Sequence, residues 1–277
     1  MIFDEETVSG IVSDSAGNIF VNTRKGIFKE NDEFGPWESA CGETGCKQVF
    51  NRIFFDKTDN LWVSGESGLY IMQPDKTFKP VKEIYTSAED LFPVSTDVFF
   101  SDSEGNVWVS DNSLVGALFV FKNDRTVEKY QLPDVNAEIV DIIDHEGQLF
   151  VVTKWSGVFG LEENGTLKPV PLWKKDVFVK RTFVDSKQRI WVVTLSNEIF
   201  VDIENDAIAF HVPGISGEAA IHSVLEDKNG NFWLMTNIGV ASIKGKDADC
   251  FLNGGCSSVP AVVYGKKNGM ASWECAE

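Results

Sequence analysis

Short apolar runs of strand length, broken by clusters of Gly, Asn and Asp, continue along the whole chain, and no helical period competes with them. The last stretch shows the pattern. AIHSVLED is an apolar-rich run ending in Asp, DKNGN is a turn and FWLMT is a second run. NIG is another turn, VASIK a third run and PAVVYG a fourth. Four antiparallel strands fit this order. One short phrase within it recurs six times: DSAGNIFVNT from Asp14, DKTDNLWVSG from Asp56, DSEGNVWVSD from Asp102, DHEGQLFVVT from Asp144, DSKQRIWVVT from Asp185 and DKNGNFWLMT from Asp227. The aromatic positions Phe20, Trp62, Trp108, Phe150, Trp191 and Trp233 are spaced by 42, 46, 42, 41 and 42 residues. Four strands at that period predict an all-β fold, a β-propeller of four-stranded antiparallel blades, with six blades and seven as the alternative. The expected boundaries are one propeller domain over 1–265 and a tail, or the start of a further blade, over 266–277.

The repeated residues read as architecture. Asp at the first turn position bonds backbone amides further on, while Gly or Asn supplies a left-handed residue. No copy has the density of oxygen ligands that a calcium loop needs. Thr23, Thr153, Thr194 and Thr236, three residues after the aromatic, are expected to end the second strand. The aromatics are expected to pack successive blades face to face.

Charge and cysteines narrow the setting. The 277 residues carry a net charge of −17, which argues against nucleic acid as a partner and against direct binding to an anionic membrane. No stretch is apolar enough to span a bilayer. Met1 is followed by IFDEETVSG, which does not read as a signal peptide. The expectation is therefore either a cytosolic protein or part of a longer secreted chain. Cys41 and Cys46, and Cys250 and Cys256, form two close pairs in Gly-bearing loops. They are disulfide candidates that favour the second setting. Neither pair has the CxxC spacing of a zinc site and no His lies near, so no metal and no cofactor are expected.

A propeller binds at the face where first strands begin and second strands end, and the repeat indexes that face. Eleven residues before each aromatic lie Ser9, Asn51, Asp97, Ile139, Lys180 and His222; one further come Gly10, Arg52, Val98, Val140, Arg181 and Ser223. The polar members predict a mixed-charge mouth; solvated strand starts are the plainer reading. Loops following the second strand add Arg24, Lys25, Glu66, Asn112, Lys154, Trp155, Asn197 and Asn237. Trp155, in the turn TKWSG, suits stacking on a sugar or an aromatic ligand. The ligand-binding set is thus Asn51, Arg52, Asp97, Trp155, Lys180, Arg181, His222 and Arg24. Enzyme chemistry has little support. His145 falls in a turn and His211 in an outer strand. His222 alone could serve as a base, with only Asp97 as a conceivable partner, and there is no nucleophile motif or phosphate loop.

The phrase D-x-x-G-N-aliphatic-[W/F]-V-x-T-x-x-G, best seen in DKTDNLWVSGESGLY and DKNGNFWLMTNIGV, resembles the two-component regulator propeller repeat. The ending AVVYGKKNGMASWECAE resembles the segment that follows a set of blades in that family. The resemblance implies the sensor region of a bacterial membrane histidine kinase or diguanylate cyclase. It implies a periplasmic or extracellular location, recognition of a small molecule or glycan without catalysis, and a membrane-linked output module as partner. It supplies no ligand residues. The fourth and fifth copies depart from it, with GQ and QR in place of GN. Two other classes stand beside it: a metal-dependent propeller lyase of the streptogramin-lyase type, which needs channel His and Glu groups, and a protein-interaction scaffold.

Overall fold

Each of the six phrases closes the hairpin between the first and second strands of a sheet. The computed structural model describes residues 8–30, 38–40, 49–65, 68–87, 92–94, 96–111, 116–134, 137–170, 177–203, 206–216 and 218–270. The chain is an all-β, six-blade propeller that divides into two units, Met1–Asn136 and Ala137–Glu277. The first unit holds three blades. These are Val8–Ser13, Ile19–Thr23, Gly26–Lys29 and Glu38–Ser39; then Phe50–Phe55, Leu61–Gly65, Gly68–Met72 and Phe78–Pro80; then Phe99–Ser101, Val107–Asp111, Ala117–Phe121 and Thr126–Gln131. The second unit holds the other three. They are Ile139–His145, Gln148–Thr153, Val158–Leu161 and Leu167–Val170; then Val179–Val184, Ile190–Thr194, Ile199–Ile203 and Asp206–Ala209; then Ile221–Glu226, Phe232–Thr236, Gly239–Ile243 and Val262–Tyr264. Consecutive strands of a blade pair antiparallel in chain order.

The Asp of the phrase does more than turn the chain. In the second blade one carboxylate oxygen of Asp56 accepts the amides of Thr58 and Asn60, and the other accepts the indole N–H of Trp62 at 2.7 Å. The same indole bond joins Trp108 to Asp102 (2.8 Å), Trp191 to Asp185 (2.9 Å) and Trp233 to Asp227 (3.0 Å). A buried ring N–H needs such an acceptor. The turn residue two places before the second strand is left-handed: Gly17, Gly105 and Gly230, with Asp59 and Gln188 where the copies lack Gly. Each of the four Thr residues ends its second strand and donates its hydroxyl back across the next turn, as Thr236 does to the Gly239 carbonyl at 2.6 Å.

The aromatics then join blade to blade within each unit. In the first, Phe54 stacks on Phe99 at 5.5 Å, and Trp62 meets Phe121 edge-on at 5.2 Å. In the second, Trp191 lies 4.4 Å from Phe232 and 4.7 Å from Phe210. Leu61–Gly65 and Ile190–Thr194 are buried at every position because sheets cover both their faces, which is why these strands read as unbroken apolar runs.

Two features depart from the pattern. The longer interval between the second and third anchors carries a two-residue strand, Thr86–Ser87, which pairs parallel to Thr126–Val127 and gives the third blade a fifth strand. Between the third and fourth strands of the sixth blade lies α1 (Gly245–Leu252), where the sequence pattern predicts no helix. Its buried side chains, Ala248 and Leu252, with partly buried Phe251, span little more than one turn, too short a run to register as a helical period. Phe251 meets Phe210 at 5.4 Å. Cys250, within α1, is bonded to Cys256 just beyond it, with Cα atoms 5.3 Å apart. The candidate pair Cys41 and Cys46, like Cys275, lies outside the described residues.

Three outcomes are expected. Asp56→Ala strands a buried indole N–H, and chemical denaturation should show a loss of about 2 kcal/mol. The turn carboxylates also set an acid limit. Asp227 is pulled from 3.8 to about 2, chiefly by the Trp233 indole, then by the Asn231 amide. Burial raises the Asp56 carboxyl, but the bonds from Trp62, Asn60 and Thr58 outweigh it and hold the group low. A lowered folded-state pKa stabilises the fold above the unfolded value and is lost as pH falls through the folded value. Urea midpoints should therefore drop between pH 3.8 and about 2, and less steeply in Trp233→Phe. Separately, reducing Cys250–Cys256 should cost about 2 kcal/mol, read as a lower Tm in reductant that Cys250→Ser/Cys256→Ser reproduces.

Candidate functional site

The polar column indexed by the repeat coincides with a backbone irregularity. Pairing between the first and second strands slips between Val8 and Gly10, Phe50 and Arg52, Val179 and Arg181, and Ile221 and Ser223. Ser9, Asn51, Lys180 and His222 are therefore the extra residues of β-bulges. A bulge releases one residue from the ladder and re-aims its side chain, which explains polar residues at the start of otherwise apolar strands.

The fourth blade corrects the index. Its hairpin is one residue shorter, with Ile143 opposite Phe150 where Phe183 lies opposite Trp191. The slip falls between Ile139 and Asp141, so Val140 is the bulge residue and Asp141 takes the place that counting gave to Val140. A GQ turn in the sequence signals this hairpin, but only the strand register shows its length.

In the first unit, Arg52 Nε lies 3.9 Å from the Asp97 carboxylate. Asn51 is exposed at its bulge, and Arg24 is exposed on the turn after the second strand of the first blade. Behind them, buried Asn22 donates to the Phe50 carbonyl at 2.7 Å and to Ser9 Oγ at 2.8 Å. Glu66 and Asn112 lie outside the described residues.

In the second unit, neighbouring blades are tied by the column itself. The Asp141 carboxylate accepts the Thr182 hydroxyl at 2.6 Å and the Thr182 amide at 3.1 Å. Arg181 Nη1 donates to the Val140 carbonyl at 3.2 Å. Lys180 Nζ donates to His222 Nδ1 at 3.0 Å. That donation requires a bare Nδ1, so the proton of a neutral ring sits on Nε2. Burial raises the Asp141 carboxyl; the bonds from Thr182, the charge of Arg181 and the Ile142 amide offset this only in part. Asp141 and Thr182 are missing from the sequence-indexed set. Trp155 is 47% exposed, with the Lys154 ammonium 5.1 Å from its ring centre. The Lys154 carbonyl accepts the Val179 amide at 2.8 Å, which brings the Trp155 turn beside Lys180. Lys154 in turn is held by Glu138 at 3.0 Å.

The arrangement offers an ammonium, a guanidinium, an imidazole and an indole face within one unit. It suits binding more than proton abstraction, because the Nδ1 lone pair of His222 already accepts from Lys180. Among the described residues no three His, Cys, Asp or Glu side chains group as metal ligands, and no helix is long and apolar enough to cross a membrane. A cavity of about 400 Å³ lies at the opposite ends of the fifth- and sixth-blade strands, among the Asp turns.

No protein-family model and no curated protein matches the chain. Solved structures do. The extracellular domain assigned to a hybrid two-component system, BT4673, from B. thetaiotaomicron superposes with a TM-score of 0.69 at 18% identity, covering 97% of this chain and 35% of that one. The chain thus spans about a third of that structure's length. Virginiamycin B lyase from Staphylococcus aureus, solved in an inactive form with quinupristin, gives a TM-score of 0.69 at 13% identity over 95% of this chain and 86% of that one. YCF48 bound to a D1 peptide gives 0.60 at 8% identity, over 83% and 75%. At such identities the likeness establishes the propeller fold, and it is shared by a sensor's extracellular domain and by an enzyme.

The Asp141–Thr182 bond predicts a pH effect. A raised carboxyl pKa in the folded chain favours folding at low pH, and that contribution is lost as pH rises through the folded value. Thr182→Val should remove about 1 kcal/mol, push the Asp141 titration higher in carbon-detected NMR, and deepen the loss of stability on going to neutral pH. An unmoved Asp141 titration would contradict the assignment.

Proposed function

We propose that this chain is the extracytoplasmic recognition propeller of a bacterial signal-transduction protein, binding a small molecule or glycan without catalysis. The observation that carries this reading is the bulge column of the second unit. There Lys180 bonds His222, Arg181 bonds the neighbouring blade, and the turn bearing the exposed Trp155 is tied at Lys154 to Val179. Such a set pairs directional donors with an aromatic platform, the combination that orients a polar ligand. Arg52, Asp97, Asn51 and Arg24 supply further polar groups on the first unit. The Cys250–Cys256 disulfide and the likeness to an extracellular two-component domain support a periplasmic or extracellular setting. Binding would be relayed to a membrane-linked histidine kinase or diguanylate cyclase module of the same protein.

A lyase is the second reading, favoured by the likeness to streptogramin B lyase over 84% of that enzyme's length. It would rest on His222 as base. The Lys180 ammonium on Nδ1 weighs against it, since the ring would have to turn or work through Nε2.

The test is a thermal-shift screen with soluble glycans and metabolites. A ligand at ~100 Kd stabilises by about 2.7 kcal/mol through mass action. Trp155→Ala and Arg181→Ala should abolish the shift while keeping the wild-type circular dichroism. If both variants respond as wild type does to a confirmed ligand, the site is misplaced. Magnesium-dependent elimination that disappears in His222→Ala would establish the lyase instead.

A further inference from the structure

The fifth copy of the repeat carries Arg189 where most copies carry Asn, and the sixth blade carries α1 where the second, third and fourth blades turn directly. Both departures face the same cavity. In the first, second, third and sixth blades the Asn side chain donates to the turn carboxylate, as Asn60 does to Asp56 at 2.9 Å. Arg189 makes that bond through Nε, 2.6 Å from Asp185, and so keeps the turn while projecting a guanidinium beyond it. Nη1 then reaches Asp249 of α1 at 2.7 Å, leaving Nη2 with no protein acceptor among the described residues. The guanidinium carbon sits 5.9 Å from the ring centres of both Trp191 and Phe232, so the group is fixed in position and its side chain is only 12% exposed.

The cavity in front of it, about 400 Å³, is lined by Lys187, Arg189, Lys244 and Lys246 against Glu226 and Asp249. The two carboxylates are occupied. Asp249 holds Lys187 and Arg189, and Glu226 accepts the amide and hydroxyl of Ser186 at 2.7 and 2.8 Å. Lys244 and Lys246 have no carboxylate partner among the described residues. The lining is therefore cationic on balance in a chain of net charge −17. A concave, positively lined site in an acidic protein concentrates anions locally, and a fixed guanidinium flanked by ammonium groups matches oxyanion geometry.

We infer that this cavity is a second binding site, separate from the bulge column, for the oxyanion group of a small ligand. A phosphate, a sulfate ester or a carboxylate shares this chemistry, and the volume admits a sugar-sized body behind the charged group. The sequence marks the site only as two irregularities of the repeat.

Isothermal titration at low ionic strength would use inorganic phosphate, a sugar phosphate, a sugar sulfate and a uronic acid as separate arms, with chloride at matched ionic strength as control. At least one arm should saturate at one site per chain. Tighter binding of a sugar ester than of inorganic phosphate would identify a substituted sugar as the source. Arg189→Asn restores the common turn residue, and Lys244→Ala/Lys246→Ala alters exposed side chains. Each should weaken binding by about tenfold or more while the fold remains intact by circular dichroism. Absence of saturable binding in every arm, heats equal to those of chloride, or wild-type affinity in both variants would overturn the inference.

Discussion

The bond from a turn carboxylate to an indole N–H six residues later is the interaction on which four of the six blades depend. It solves two problems at once. An Asp turn leaves one carboxylate oxygen beyond those that cap its own amides, and a Trp buried between sheets brings a donor that cannot reach water. Joining them locks the hairpin to the packing face, so the local turn and the long-range contact form together. The fixed ring then meets the neighbouring blade, as Trp62 meets Phe121 and Trp191 meets Phe232. Phe20 and Phe150 have no such donor, and the fourth blade, which carries one of them, is the blade whose hairpin shortens.

This regularity gives the irregularities their meaning. A β-bulge at the start of the first strand recurs in five blades, and it places Ser9, Asn51, Lys180 and His222 off the ladder. In the second unit the neighbours of those residues hold adjacent blades together through Asp141, Thr182 and Arg181. The groups proposed to meet ligand are thus also groups that tie the sheets. At the other end of the same strands, Arg189 keeps the turn bond of the residue it replaces and gains a second partner in α1. Both proposed sites share one feature: a side chain at a departure from the repeat keeps or adds a bond between neighbouring elements.

The sequence period, the Asp and aromatic positions and the strand-ending threonines were legible because each depends on contacts within a few residues. The polar column was legible too, as a count from the aromatic. Counting misplaced the fourth blade, because hairpin length depends on which residues pair and a single residue changes which side chain faces outward. Helix α1 was not legible, since its apolar face of Ala248, Phe251 and Leu252 covers little more than one turn.

By itself, then, the sequence determined the blade, its number of copies and its internal bonding, because turn chemistry and alternation act over short distances. Tertiary structure alone decided which polar residues meet. Lys180 reaches His222, Asp141 reaches Thr182 and Arg189 reaches Asp249 across intervals of 42, 41 and 60 residues. Those distances close only when neighbouring sheets pack, and what sets them is the strand register and an inserted helix, neither of which leaves a periodic trace in the chain.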